Sequence, residues 1–104
     1  MNRIVAAIEI KKAEIAKRIA DGLVTVERVE ECRKSLDMAM DEYVMFHNLK
    51  SEACVSGKLS VDEGMTIYSY LGEGGPENFN KQSIEVKTVL TMIYAQLLKA
   101  RMAA

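Results

Sequence analysis

The longest uninterrupted pattern in the chain runs from Thr25 to Gly57, with no Pro or Gly between them. Apolar residues recur there at Val26, Val29, Cys32, Leu36, Met40, Tyr43 and Val44, at the three-to-four spacing of one helix face. Thr25 suits the N-cap, and Glu27, Glu30 and Glu31 suit the positive end of a helix. Gly57 suits the position just past its end. The pattern predicts one helix over residues 26–56, about 45 Å long at the usual rise per residue. Its second half carries more apolar groups than one stripe can hold: Met38, Met40, Tyr43, Val44, Met45, Phe46 and Leu49. Those groups must be covered on two sides or form an intermolecular surface.

The flanking segments read as three more helices. Residues 2–21 carry a stripe of Ile4, Ala7, Ile8, Ile15 and Ile19, interrupted by Lys11 and stopped at Asp21-Gly22. The link Gly22-Leu23-Val24 is so short that the first two helices should form an antiparallel hairpin, with Leu23 folding back as a hydrophobic staple. Ser60-Val61-Asp62-Glu63 matches a capping box and opens a helix over residues 61–71. Val61, Met65, Tyr68 and Leu71 would form its apolar face, and Gly64 would let another helix approach closely. Residues 72–82 read as an irregular loop around Gly74-Gly75-Pro76, held down by Phe79. Ser83 would cap a last helix over residues 83–101, with a wide stripe of Val86, Val89, Leu90, Ile93, Leu97 and Ala100. The expected fold is all-α: a long antiparallel hairpin, a short third helix and a wide-faced C-terminal helix, in one four-helix-bundle-like domain over residues 1–104.

Composition supports that class. The chain of 104 residues is 49% hydrophobic, with four Tyr, two Phe and no Trp, so aliphatic side chains and Met must build the core. The formal net charge of -1 argues against a protein that coats nucleic acid or anionic membrane. Residues 1–21 and 83–104 each carry net +2, while residues 22–57 carry -3 and residues 58–82 carry -2. Complementary helices lying side by side would satisfy that pattern. Cys32 and Cys54 would sit about 33 Å apart on a single helix and could not pair. No signal peptide or apolar membrane span is visible, so a reducing, cytoplasmic setting is expected.

Candidate chemistry is sparse. His47 is the only histidine, and its helical neighbours Tyr43, Val44, Lys50 and Ser51 supply no orienting carboxylate. A metal centre wants several matched ligands, so no metal, cofactor or catalytic residue is assigned and no enzymatic activity is expected. Interaction is the leading reading, through Met38, Met45, Phe46, Leu49 and Phe79. The expected partner is another protein or a second copy of the chain, with a dimer favoured. Adaptors and inhibitors among bacterial, phage or mobile-element accessory proteins have this size and class, an association by fold type alone. One alternative is a small anion or nucleotide held at residues 72–83 by Gly74, Gly75, Lys81, Ser83 and Lys87. A second is a nucleic-acid-binding regulator, which Asp62 and Glu63 at a helix start would oppose.

Overall fold

Local capping chemistry sets most helix ends in the computed structural model, which describes residues 2–103. The helices are α1 (Arg3–Ala20), α2 (Val26–Ser35), α3 (Met40–Ser56), α4 (Val61–Leu71), α5 (Glu77–Asn80) and α6 (Ile84–Ala103). There is no strand among the described residues, and the fold is an all-α, bundle-like assembly. Asn2 caps α1 by accepting from the Val5 N–H at 2.9 Å. Thr25 caps α2 by accepting from the Arg28 N–H at 3.1 Å. The capping box of α4 is complete: Ser60 Oγ accepts from the Glu63 N–H at 3.1 Å, and Glu63 Oε1 accepts from the Ser60 N–H at 2.9 Å. Gly57 ends α3 in the left-handed region, at φ 82°, where other residues are strained.

The predicted 26–56 rod is broken. α2 ends at Ser35, α3 begins at Met40, and Ala39 is extended at φ -81°, ψ 167°. Nothing in Leu36-Asp37-Met38-Ala39 forbids a helix, so the cause lies elsewhere in the fold. Asn80 bonds both backbone groups of Met38: its Oδ1 accepts from the N–H at 2.7 Å, and its Nδ2 donates to the carbonyl at 3.2 Å. Lys87 Nζ donates to the Arg33 carbonyl at 2.7 Å and to the Asp37 carboxylate. Its charge sits at the negative end of the α2 dipole. Arg33 in turn donates to the Asn80 carbonyl at 2.8 Å and the Gln82 carbonyl at 3.3 Å. Side chains some 50 residues away thus satisfy the backbone groups that a continuous helix would have paired internally.

Packing also departs from a zipped hairpin. α1 lies on α6 and α4, α2 lies on α6, and α3 lies on α4 and α6. Leu23 is 73% exposed and staples nothing. α2 buries none of its residues, because Val-Glu-Arg-Val-Glu-Glu-Cys-Arg-Lys-Ser is too polar to do more than rest on α6. The core is built by α3 to α6, with Phe46, Ile67, Leu71, Phe79 and Leu90 fully enclosed, and α1 adds Ile4 and Ile8. The face of α4 is also turned. It buries Glu63, Gly64, Ile67 and Leu71, while Val61, Met65 and Tyr68 face solvent. Gly64 sits at the contact with α3: a Cβ there would stand 2.4 Å from Cys54 Sγ, so a larger residue would require the Cys54 side chain to move. In α6 the buried residues, Val86 to Leu90, lie in the first half, where the others press on it.

Candidate interaction surface

Four of the five side chains expected to meet a partner lie inside the fold. Met38, Phe46, Leu49 and Phe79 are buried at 5% exposure or less, and only Met45 reaches the surface in part. Of the apolar residues over 38–49, Met38, Tyr43, Phe46 and Leu49 are core, with Phe46 at 5.2 Å from Tyr94 of α6, while Met40 and Val44 stay 54% and 47% exposed. Phe79, on α5 within the predicted loop, plugs the same core. Of the anion candidates, Lys87 is fully buried and its ammonium is taken by Arg33, Asp37 and Asn80. Gly74, Lys81 and Ser83 are exposed, and Gly75 is buried where an added Cβ would meet the Met40 methyl at 3.4 Å.

Larger open apolar surfaces lie on two faces, one between α1 and α6 and one on the Val61, Met65 and Tyr68 side of α4 that the sequence pattern marks as its apolar face. The first is a groove of ≈ 520 Å³ between α1 and α6, floored by Ala7, Val89, Ile93 and Leu97. Ile10 and Met92 edge it at 64% and 55% exposure. Ile10 falls outside the α1 stripe, which is why periodicity passed over it. Charges rim the groove. Arg3 donates to both Glu63 oxygens, at 2.8 and 3.1 Å, and Lys11 pairs with Glu14 at 2.8 Å. Glu63 is buried, and the Arg3 hydrogen bond, with the Ser60 N–H behind it, lowers its pKa from 4.5 to about 2. A carboxylate that is enclosed yet ionised anchors the start of α1 to the start of α4. Asn2 adds a 2.9 Å bond to Thr66 Oγ1.

The second face is the outside of α4. Val61, Met65 and Tyr68 border a shallower depression of ≈ 680 Å³ shared with Lys50 and Cys54 of α3. The Lys50 ammonium lies 4.8 Å from the Tyr68 ring centroid, and the Tyr68 hydroxyl donates to Glu73.

His47 sits behind that face between two tyrosine rings, at 4.7 Å from Tyr43 and 5.8 Å from Tyr68. Its Nε2 is 3.2 Å from the Gly72 carbonyl, which also accepts from the Tyr43 hydroxyl at 2.7 Å. Burial, then the Lys50 charge, lowers its pKa below 6.5. This cluster ties the end of α4 to α3. Among the described residues no group of three or more His, Cys, Asp or Glu is placed to hold a metal ion, and Cys32 and Cys54 are both free thiols. No helix of the described residues is long and apolar enough to cross a membrane. No protein-family model matches the chain, and no curated protein or solved structure is similar enough to it to count as a match.

Proposed function

We propose that this protein has no chemistry of its own and acts in the cytoplasm by contact with other proteins, as an adaptor or inhibitor that also self-associates. The observation behind this reading is the α1–α6 groove. It leaves Ile10 and Met92 more than half exposed beside an apolar floor, although the same fold encloses both phenylalanines. Exposed apolar grooves with charged rims suit partner helices, whose apolar side fills the floor while their charges meet the rim. A second copy meets the same requirement in a two-fold arrangement, since each groove offers Lys11 and Glu14 to its counterpart. An accessory role in a bacterium or phage belongs to the same proposal and rests on size and fold class alone.

Sedimentation equilibrium at micromolar concentration tests the self-association. The natural chain is expected to exceed its 11.6 kDa monomer mass. Ile10→Asp and Met92→Asp should return it to monomer without altering the far-UV spectrum, because neither side chain is in the core. A natural chain that stays monomeric, or variants that associate unchanged, would remove the groove from this role. The anion reading of residues 72–83 loses Lys87 to the α2 end, and Lys81 alone gives it little charge.

A further inference from the structure

We propose that residues 36–39 are the hinge of an arm exchange between two copies of this chain. In it α1 and α2 swing out together, α2 and α3 fuse into one helix over residues 26–56, and the arm packs on α4 and α6 of the second copy.

Three observations carry this. First, the hinge is helix-competent: the whole of residues 26–56 lacks Gly and Pro, and Leu36, Met38 and Ala39 are good helix formers. Second, the break is held from outside. Asn80 takes the Met38 N–H and carbonyl, and Lys87 takes the Arg33 carbonyl. In a continuous helix the Met38 N–H would pair with the Lys34 carbonyl and could not also reach Asn80, so that bond and the fused helix exclude each other. Third, the arm contributes few buried side chains and its attachments cross the hinge. α2 buries nothing, and α1 gives only Ile4 and Ile8 to the core. The polar ties run from Asn2 to Thr66, from Arg3 to Glu63 and from Arg33 to Asn80 and Gln82. All these acceptors lie after the hinge, so a second copy can supply every one of them. The other buried core residues, Met38 to Leu90, all lie after residue 37.

The monomer and the exchanged dimer therefore share nearly all contacts and differ at the hinge. The bent form has the Asn80 bond to the Met38 N–H, and the straight form has the extra helical turn. Protein concentration then tips the balance toward the dimer. This exchange does not depend on the α1–α6 groove as a docking surface, and mutation separates the two.

The test is refolding from denaturant at micromolar and millimolar concentration, followed by size-exclusion chromatography with light scattering. The natural chain should give a dimer fraction that rises with concentration during refolding. Asn80→Ala removes a bond made only by the bent form, at both hinges of a dimer, and should raise the association constant by about tenfold or more. Met40→Pro fits the bent form, since Met40 is the first residue of α3 and follows an extended residue. In the fused helix the same proline falls mid-helix at both hinges and should suppress the dimer by more than about a thousandfold. A dimer that survives Met40→Pro, or that Ile10→Asp abolishes while Met40→Pro does not, overturns the proposal. So does the absence of dimer in both the natural chain and Asn80→Ala. Should either variant fail to fold, spin labels at the exposed positions 27 and 51 decide on the natural sequence. The dimer fraction must gain a separation near the ~36 Å that 24 residues of continuous helix impose, and a dimer with the monomer's distances refutes the exchange.

Discussion

Glu63 is a buried carboxylate held by Arg3 and the Ser60 N–H, and replacing it by Gln isolates what its ionisation does. Gln keeps the size and an oxygen for the Ser60 N–H, but it loses the charge that meets Arg3. The pKa of Glu63 falls from 4.5 to about 2 on folding, chiefly through the Arg3 hydrogen bond. A depressed carboxylate stabilises the folded state above its unfolded value, and that contribution is lost as pH falls through the folded value. The window is therefore between about 4.5 and about 2. Linkage across it sets a ceiling of about 3 kcal/mol at neutral pH. The carboxylate is 6% exposed but its guanidinium partner is 77% exposed, so solvent screens the pair. About 1–2 kcal/mol is the expected loss for Glu63→Gln at pH 7, in the range of hydrogen bonds to charged groups. Urea denaturation at pH 7, 4 and 3 measures it. The natural protein should lose stability between pH 4 and pH 3 more steeply than the variant, and the two should converge at the acid end. Equal pH dependence in the two proteins would show that Glu63 is not held ionised by this network.

Gly64→Ala should destabilise the fold by about 1–3 kcal/mol, the usual cost of overpacking, because its Cβ meets Cys54 Sγ at 2.4 Å. Adding Cys54→Ala should restore much of that loss, and an unchanged double mutant in thermal denaturation would contradict the contact. Phe46→Ala and Phe79→Ala should each cost about 3–5 kcal/mol as cavity-forming substitutions, read from the denaturation midpoint. A variant of either that stays near natural stability would place that ring at the surface. The His47 ring should titrate below 6.5 by NMR, since burial disfavours its charged form. Its contribution to stability is then present above 6.5 and declines as pH falls through 6.5 toward the depressed value, and titration at or above 6.5 would refute its half-buried placement.

Chain-local physics was legible from the residues themselves. Thr25, the Ser60–Glu63 box, Gly22 and Gly57 act on backbone groups within a few positions of themselves, so their spacing alone shows where helices start and stop. The all-helical class follows from the three-to-four recurrence of apolar residues and from an aliphatic, Trp-free composition. What only tertiary structure decided are the matters in which distant residues compete with local preference. Residues 36–39 would propagate a helix on their own, and Asn80 and Lys87 break it by taking its backbone groups. α4 carries two apolar stripes, and the inward one sets Gly64 against Cys54, a contact partner that periodicity does not encode. The same holds for Lys87, which a charge count assigns to solvent. Its partners are a carbonyl at the end of α2 and a carboxylate in the break, and neither exists as a binding group until the chain has folded around them.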